Sequence, residues 1–397
     1  MSLDLTRLYT VSAQLFARPL PSYTRYLLPK LETGSKLIGI KGARGAGKST
    51  LLLQYAKAQA LTATEILYLS CDHPAVIGLS LYDVAEAFYA RGGKLLLIDE
   101  IHKTKNFSQE LKAIYDVFDL RVIFSGSSAI ELEHAHADLS RRAVVHKLGV
   151  LSLREFCEME LGLALPSFSL ADLLSNHTAI ASQLMPHFRP LEQFNNYLKY
   201  GCYPFYRESL LDYPLKLQEV ISQTIDSDLS RIFSIDSSKL DKLKKTLYML
   251  CSTNPYELNL SKLSAAVEIS RPTLYNYLHY MDAGSLIHMV RANQGMRTVS
   301  KPDKLLLHNP NLFEVLCGSA NLGSLRESFF VSQLSLQHQV HYHPQGDFMV
   351  DDNLVFEVGG KDKTAKQLKG QQGFIAADNI EVGLDNKIPL WLFGFLY

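Results

Sequence analysis

Short apolar runs alternate with helix-forming stretches between residues 37 and 148 of the chain. The runs predict five buried strands, at residues 37–40, 66–69, 95–98, 122–124 and 144–148. Buried strands that are separated by helices indicate a parallel sheet covered on both faces. Residues 1–33 carry Leu, Tyr and Phe at helical spacing and predict an amphipathic helical lead-in. We therefore predict one α/β domain over residues 1–150.

The pattern then changes to helical, and changes again near residue 237. Residues 151–236 predict a helical lid or linker. Residues 237–304 predict helices at 239–251, 261–267 and 270–281, and a strand at 285–291 that leads through residues 293–295 into a β-wing. Ser270 is the predicted N-cap of the third helix, and Pro272 lies in its first turn. This order of elements is typical of a winged helix-turn-helix.

The last segment, residues 305–397, predicts a small α/β domain of its own. We expect a helix near residues 322–336 and strands near 340–343, 347–350 and 354–358. A polar helix is expected from Lys363, and a strand-rich tail ends in IPLWLFGFLY.

The composition is that of an ordinary globular protein, with 47% apolar residues. Basic and acidic residues number 40 each, so an argument for a nucleic-acid or membrane partner must rest on local charge. No run approaches the ~18 apolar residues that a membrane helix needs, and the N-terminus does not read as a signal peptide. The five cysteines lack C-x-x-C spacing, which predicts reduced thiols rather than a disulfide framework or a zinc site. We expect a soluble cytoplasmic protein with no membrane contact.

A glycine-rich turn follows the first predicted strand and opens into a helix. Gly42, Gly47, Lys48 and Ser49 fit the pattern G-x-x-x-x-G-K-S/T. Glycines let successive backbone N–H groups curl round phosphate oxygens, and the helix points its positive end at the same anion. Lys48 can then reach the β- and γ-phosphates, and the Ser49 hydroxyl can ligate Mg²⁺. The residues predicted to contact the nucleotide are Gly42, Ala43, Arg44, Gly45, Ala46, Gly47, Lys48, Ser49 and Thr50.

A second signal for a nucleotide site is LLLIDE at residues 95–100. Its apolar residues predict a buried strand that ends in Asp99 and Glu100. In a P-loop NTPase an acid in this position holds the hydration shell of Mg²⁺, and a second acid can polarise the attacking water. We assign Asp99 to the metal and Glu100 to the general base.

Two weaker candidates follow in the same domain. Ser125, at the end of the fourth strand, is a candidate sensor of the γ-phosphate, with Ser127 as its competitor. A helix cap or a turn is the alternative role for either serine. Arg141 and Arg142 follow a helical stretch, and such an arginine can stabilise transition-state charge in a neighbouring subunit. From the pattern alone, a pair of solvated surface charges is the better interpretation.

These residues resemble the AAA ATPase superfamily and, more closely, a large prokaryotic family of predicted ATPases. Members of that family join an AAA module to a C-terminal domain related to the restriction-endonuclease fold. The matching segments are GARGAGKST, LLLIDEIHK, IFSGSSA, LSLREF, YGCYP and IPLWLFGFLY. The resemblance implies ATP as the nucleotide, favours Ser125 as the sensor and raises Arg142 as an arginine acting in trans. An arginine in trans implies a ring or at least a dimer, so we expect a homo-oligomer.

The predicted winged helix carries a local excess of positive charge. Residues 239–304 contain ten lysines and arginines and five acids, and this excess of positive charge fits contacts with DNA phosphates. Arg271 is the only strong cation of the second helix of the motif, which is little for base recognition. The alternative is a protein–protein module of the same fold. The candidates for DNA contact are Arg271, Thr273, Tyr275, Asn276, Tyr277 and Arg297.

Three acids of the last domain, Glu327, Asp347 and Glu357, are candidates for a carboxylate metal site. Nucleases of the restriction type usually carry D…E-x-K, in which two acids hold Mg²⁺ and the lysine steadies the nucleophilic water. Here Gly359 takes the lysine position, and Lys361 can substitute if the strand bulges there. We predict a degenerate restriction-endonuclease-like domain that holds structure or touches DNA, with active cleavage as the alternative.

The sequence as a whole predicts an AAA-type ATPase that couples ATP binding and hydrolysis to conformational work on DNA, as an oligomeric motor or remodeller. Two other classes stay open. A signalling switch would use ATP to lock one state and would bind a protein partner. An ATP-gated nuclease would need the carboxylate site to be intact.

Overall fold

The computed structural model describes residues 3–126, 139, 141–252, 260–293, 302–317, 321–364 and 373–397. The chain divides into two compact units, Met1–Gly149 and Val150–Tyr397. The division of the second unit into a helical lid, a winged helix and a last domain stays a prediction.

The first unit is built on a parallel five-stranded sheet with the order β2-β3-β4-β1-β5. All five predicted strands are confirmed, each one to three residues longer than predicted. The strands are β1 (Leu37–Gly42), β2 (Ile66–Ser70), β3 (Leu95–Asp99), β4 (Arg121–Gly126) and β5 (Ala143–Leu148). The helices are α1 (Thr6–Ala17), α2 (Lys48–Ala58), α3 (Leu81–Tyr89) and α4 (Phe107–Val117), with 3₁₀ turns at Leu28–Leu31 and Ile101–Lys103.

Helices cover both faces of this sheet, as the apolar runs predict. Successive residues of a strand point to opposite faces, and along β3 Leu95 and Leu97 join one apolar cluster while Leu96 and Ile98 join the other. The first cluster contains side chains of α2, and the second contains side chains of α1, α3 and α4. Both faces of the sheet are therefore buried along β1 to β4, which is why those strands read as apolar runs, whereas the edge strand β5 is partly exposed.

The second unit begins with the helical stretch that the sequence predicts. Ser152 caps its first helix in a capping box, because its side chain accepts a hydrogen bond from the Glu155 N–H and the Glu155 carboxylate accepts one from the Ser152 N–H. A π-helical segment, Thr224–Leu229, and one further helical turn, Ser230–Ile232, extend the last helix. The helices are α5 (Leu153–Leu161), α6 (Leu170–Leu184), α7 (Pro190–Tyr200) and α8 (Tyr213–Gln223), with a 3₁₀ turn at Pro204–Arg207.

Three of the segments behind the family resemblance, LSLREF, YGCYP and IPLWLFGFLY, contact one another or share partners in the core of this unit. The Leu151 N–H donates to the Cys202 carbonyl at 2.8 Å, and the Arg154 Nε donates to the Tyr397 carbonyl at 2.7 Å. The Cys202 N–H donates to Oδ1 of Asn311 at 2.7 Å. These contacts give the three motifs a packing role.

The next elements follow the predicted order of three helices and a strand. They are α9 (Ser237–Ser252), α10 (Leu260–Val267), α11 (Arg271–Ala283) and an antiparallel strand pair, β6 (Ile287–Val290) with β7 (Lys304–Leu307). Ser270 is the N-cap of α11, as predicted, because its side chain accepts from the Thr273 N–H at 3.3 Å. The predicted wing lies mostly in residues 294–301, outside the described residues.

The C-terminal residues form a mixed five-stranded sheet with the order β12-β11-β10-β9-β8. The elements are α12 (Asn311–Leu316), α13 (Leu322–Leu334), β8 (Val340–Tyr342), β9 (Phe348–Val350), β10 (Leu354–Gly359), β11 (Gly373–Ala377) and β12 (Lys387–Pro389). The predicted polar helix falls largely in residues 365–372, outside the described residues. The predicted strand-rich tail contains β11 and β12, but its last apolar run, Leu390–Phe395, is a 3₁₀ helix. An apolar run buried on every side has no periodicity to separate the two states.

The prediction of five reduced thiols is wrong for one pair. Cys251 and Cys317 form a disulfide, with Cα atoms 5.4 Å apart and 66 residues between them in sequence. Such a long separation leaves no spacing pattern to recognise. The other three cysteines, Cys71, Cys157 and Cys202, are free and buried.

None of the helices in the described ranges combines the length and the apolar character that crossing a bilayer would require.

Candidate functional site

The glycine-rich loop joins β1 to α2 at the carboxyl edge of the parallel sheet. Gly45 and Gly47 have φ angles of 79° and 96°, in the left-handed region that favours glycine. A Cβ on Gly42 would overlap the carbonyl oxygen of Leu148 on β5, so only glycine fits where the loop leaves the sheet. The helix α2 begins at Lys48 and turns its free N–H groups toward the loop. All nine residues predicted to contact nucleotide lie in this loop or in the first turn of α2.

Lys48 lies inside the loop. Its side chain is 4% exposed, and Nζ donates to the carbonyls of Gly42 and Ala43, each at 2.9 Å. These carbonyl acceptors are neutral, whereas a phosphate oxygen carries negative charge and attracts the ammonium group more strongly. An incoming phosphate can therefore compete with these carbonyls for the ammonium group.

Arg25 forms hydrogen bonds both to the glycine-rich loop and to the residue that follows β5. Its Nη1 donates to the Ala46 carbonyl in the loop, and its Nη2 donates to the Gly149 carbonyl at 2.8 Å. The side chain is 6% exposed. The sequence analysis missed this residue, because a single arginine in a lead-in segment forms no pattern.

Asp99 lies at the end of β3, with neighbouring strands on both sides supplying its hydrogen-bond donors. The Tyr68 hydroxyl on β2 donates to Oδ2 at 2.6 Å, and the Ser125 hydroxyl on β4 donates to Oδ1. The Glu100 N–H also donates to Oδ1, at 3.1 Å. Asp99 is 2% exposed and Ser125 is 0% exposed, so these bonds are shielded from water. The structure thus joins two predicted site residues and adds Tyr68, which the sequence analysis missed.

Tyr68 also connects the sheet to the loop. Its hydroxyl forms a hydrogen bond with the Ser49 side chain in addition to the one that it donates to the Asp99 carboxylate. Burial, and next the charge of Asp99, raise the pKa of Tyr68 well above its ordinary value, so the hydroxyl keeps its proton. The two side chains predicted to ligate Mg²⁺, Ser49 and Asp99, are therefore linked through one hydroxyl group.

The donor set around Asp99 fits a magnesium ion. A carboxylate offers about four acceptor positions, and the described residues donate three hydrogen bonds to Asp99, so within that part of the chain one position is open. A carboxylate and a hydroxyl are hard oxygen ligands, which is what Mg²⁺ prefers. One or two protein ligands are sufficient when a nucleotide supplies further oxygens.

Glu100 has a strained backbone. Its φ of 52° lies in the left-handed region, which is uncommon for a residue with a side chain. Its Oε2 lies 3.3 Å from Nε2 of His102, and His102 is 2% exposed. This arrangement fixes the carboxylate of the predicted base directly after Asp99.

Arg142 contacts its own unit. Its Nε and Nη2 donate to Oδ1 and Oδ2 of Asp116, at 2.8 and 3.0 Å. The hydrogen bond with Asp116 raises the pKa of Arg142. The pair is partly open to solvent, with 28% of the arginine side chain and 43% of the aspartate side chain exposed. Ser127, the competing sensor candidate, lies outside the described residues.

The helix α11 exposes part of the face predicted to contact DNA. Tyr277 is wrong as a candidate, because it is 3% exposed and its hydroxyl donates to the Lys239 carbonyl at 3.4 Å. Arg271 is exposed and donates to the Ser261 hydroxyl. Arg297 lies outside the described residues. The candidates that are at least partly exposed are Arg271, Thr273, Tyr275 and Asn276.

The three acids of the C-terminal domain are buried and paired with lysines. Lys304 contacts Glu327 and Asp347, and Glu357 contacts a second lysine, Lys363. The predicted substitute, Lys361, is instead exposed, because β10 ends at Gly359 and the chain turns before Lys363. Within the described ranges, no group of three or more His, Cys, Asp or Glu side chains is arranged to hold a metal ion. Lys304 was also counted in the basic excess of the winged helix, but at 0% exposure it cannot contact DNA.

Comparison with known proteins supports the interpretation of the loop. Residues 34–157 match the family model of an AAA domain. Residues 191–321 match the model of a domain of unknown function, DUF8612. The uncharacterized protein MJ1637 of Methanocaldococcus jannaschii is 26% identical over 395 residues, which cover 87% of this chain and 82% of the relative.

Two solved structures show a distant likeness. The Hsp104–ADP complex of S. cerevisiae aligns at 15% identity with a TM-score of 0.32, over 71% of this chain and 44% of that chain. The AMPPCP-bound DnaA of Aquifex aeolicus aligns at 15% identity with a TM-score of 0.23, over 70% of this chain and 89% of that chain. The family match and the phosphate loop on a parallel sheet carry the assignment. Residues 34–157 form a P-loop AAA ATPase domain.

Proposed function

We propose that this chain is a Mg²⁺-dependent ATPase that uses ATP hydrolysis for conformational work on DNA. The observation that carries the ATPase part is the network of Ser49, Tyr68, Asp99 and Ser125 beside the phosphate loop. The network brings a hydroxyl from the loop helix, a carboxylate and a sensor hydroxyl together at one edge of the sheet. A nucleotide site needs these groups beside its phosphate loop, whereas a glycine-rich turn that binds no ligand has no need of them.

In this proposal the loop binds the triphosphate through its backbone N–H groups and the Lys48 ammonium. Ser49 and Asp99 are the residues that would hold Mg²⁺, which would neutralise phosphate charge there. Tyr68 and Ser125 keep the Asp99 carboxylate in one orientation. Ser125 can also turn its hydroxyl toward a γ-phosphate, which is the sensor role.

Glu100 acts as the general base in the same proposal. Its carboxylate follows Asp99 directly, and its left-handed backbone turns the side chain away from the strand direction. His102, 3.3 Å away, restricts where the carboxylate can point. A base must lie within hydrogen-bond reach of the attacking water, directly or through one more water.

The DNA part rests on the exposed side chains of α11. Arg271 and Asn276 are exposed at the start and middle of the helix, as a recognition helix requires. Arginine and asparagine are also the side chains that pair with guanine and adenine edges.

The decisive test is steady-state ATP hydrolysis with and without duplex and branched DNA, with Glu100→Gln as the inactive reference. We expect severalfold stimulation by DNA that disappears as salt rises, because phosphate contacts release counterions. Arg271→Ala should keep the DNA-free rate and lose the stimulation. Arg189→Ala is a matched control, since Arg189 is 87% exposed on the same unit. A rate that ignores DNA at low salt would refute the DNA part and leave the ATPase standing.

A signalling switch is the second candidate, favoured by one observation. Arg271 is the only strong cation of α11, which is little positive charge for a helix that contacts DNA. A switch would hydrolyse ATP slowly, retain nucleotide during purification and bind a protein instead. The DNA-stimulation assay separates the two candidates directly.

The proposed homo-oligomer predicts that Arg142 acts on a neighbouring subunit. An exposed ion pair such as Arg142–Asp116 is easily exchanged for another partner. Arg142→Ala and Glu100→Gln proteins should each be inactive, but mixing them should restore part of the activity. The mixture contains interfaces in which an intact Glu100 meets an intact Arg142. Arg141→Ala is the control, and no recovery on mixing would contradict an arginine in trans.

A further inference from the structure

A buried ionic cluster in the second unit has a composition that the nucleotide site does not explain. It contains three carboxylates and two lysines. None of the five side chains is more than 29% exposed, and four are at most 3% exposed. The members are Lys304 on β7, Glu327 on α13, Asp347 before β9, Glu357 on β10, and Lys363 after β10.

Lys304 lies between two of the carboxylates. Its Nζ is 2.9 Å from Oε2 of Glu327 and 3.3 Å from Oδ1 of Asp347. The same ammonium lies 4.6 Å from the ring centroid of Phe348. The lysine side chain is 0% exposed, and each acid is 3% exposed. A cation is therefore already present at this pair of carboxylates, and it belongs to the chain.

The carboxylate of Glu357 lies beside that of Asp347. In the β9–β10 pair Phe348 faces Phe356, so Asp347 and Glu357 are the next facing positions, and facing residues share one side of a sheet. The Asp347 N–H donates to the Phe356 carbonyl at 2.8 Å, which continues the pairing to this point. Oδ2 of Asp347 accepts from the Val358 N–H at 2.8 Å, so that oxygen points toward β10.

Glu357 contacts a different lysine, Lys363, whose side chain packs over Gly359. Nζ of Lys363 lies 2.8 Å from Oε1 of Glu357. The lysine stem crosses Gly359, where an added Cβ would be 2.9 Å from Cδ of Lys363. Oε2 of Glu357 is buried and accepts no hydrogen bond from the described part of the chain. The lysines therefore contact the carboxylates at defined oxygens, namely Glu327 Oε2, Asp347 Oδ1 and Glu357 Oε1.

We propose that Lys304 is the resident cation of this centre and keeps a divalent metal ion from binding between Glu327 and Asp347, the two carboxylates that it contacts. Carboxylate oxygens are the ligands that Mg²⁺ and Mn²⁺ take in proteins. The Lys304 ammonium group lies 2.9 and 3.3 Å from oxygens of Glu327 and Asp347, the two residues that would hold such an ion. Because the lysine is covalently part of β7, its presence at the carboxylates does not depend on the concentration of ions in solution.

The central experiment measures Mn²⁺ binding to the full chain without nucleotide, by electron paramagnetic resonance of the free ion. We expect Lys304→Ala to bind one Mn²⁺ per chain more than the wild type, at least tenfold more tightly than any background site. The matched control is the double variant Lys304→Ala with Glu327→Gln, which removes the lysine together with one ligand and should return to the wild-type count. A folded Lys304→Ala protein with no additional Mn²⁺ would overturn the proposal.

A second measurement covers the case in which Lys304→Ala is too unstable to titrate. The thermal midpoint of Lys304→Ala is measured in EDTA and in Mn²⁺. The proposal requires Mn²⁺ to raise this midpoint, and to raise neither that of the wild type nor that of the double variant. A variant that Mn²⁺ cannot restore to the folded state contradicts the proposal.

The wild type gives a test that needs no change at Lys304. A Mn²⁺ ion that binds the wild type without nucleotide and is lost in Asp347→Asn would overturn the proposal, because the site would then be open. Equal binding by the wild type and Asp347→Asn is the supporting result.

Discussion

Replacing Tyr68 by phenylalanine removes one hydroxyl from the candidate ATPase site and leaves the ring in place. The ring belongs to the apolar cluster that contains α2, and the residue is 5% exposed. Its hydroxyl donates to Oδ2 of Asp99 at 2.6 Å. The substitution therefore removes the hydrogen bond to a buried charge and the one with Ser49, and it changes almost none of the packing.

The magnitude follows from that bond. A hydrogen bond to a charged group contributes about 1.5–3 kcal/mol, and no water is at hand to replace a donor lost in a buried position. We expect Tyr68→Phe to lower the free energy of unfolding of the first unit by about 2 kcal/mol. For a domain of roughly 150 residues this lowers the thermal midpoint by about 4–8 °C. If the bond also orients Asp99 in the transition state, the same 2 kcal/mol lowers kcat/KM for ATP by about 30-fold, at 1.36 kcal/mol per tenfold.

The assay is ATP hydrolysis across a range of Mg²⁺ concentrations, with the thermal midpoint measured on the same samples. Tyr9→Phe is the matched control, because its hydroxyl donates to the Thr64 carbonyl at 3.1 Å in an exposed position outside the site. The control should change neither quantity appreciably. Wild-type hydrolysis by Tyr68→Phe at every Mg²⁺ concentration would refute the role of Tyr68 in orienting Asp99.

Three further substitutions test the loop and the base. Lys48→Ala should abolish binding of a fluorescent ATP analogue, because the triphosphate loses the loop ammonium, and normal affinity would contradict the phosphate-loop assignment. Glu100→Gln should retain bound ATP but stop turnover, and an unchanged rate would assign the base elsewhere. Gly42→Ala should lower stability by about 1–3 kcal/mol in a denaturant titration, because the new Cβ overlaps the Leu148 carbonyl. A wild-type transition midpoint would show that β5 can move aside.

The sheet of the first unit was predictable from sequence for a physical reason. Strands buried on both faces need apolar residues at every position, so each strand is a visible run bounded by polar residues. Gly42, Lys48 and Asp99 were predictable as well, because phosphate binding needs fixed residue types at fixed distances along the chain.

The residues that sequence analysis missed or misplaced act through partners distant in sequence. Tyr68 lies inside an apolar run and reads as a core residue until Asp99, 31 residues later, is placed beside it. Arg25 acts on a loop residue 21 positions away. Lys363 replaces Lys361 at Glu357 because the chain turns after Gly359, and no strand spacing encodes a turn.

Lys304 lies at the predicted boundary at residue 304 and forms buried ion pairs with residues on the far side of it. The residue opens β7, which pairs with β6 after α11, yet its side chain is buried against Glu327 and Asp347 of the C-terminal segment. Removing one partner of a buried ion pair costs about 3–5 kcal/mol, because the remaining charge stays uncompensated. Any motion that separated the predicted winged helix from the C-terminal sheet would extract this ammonium group and meet that cost. If the proposed function holds, conformational work done through α11 would therefore move the C-terminal sheet with it.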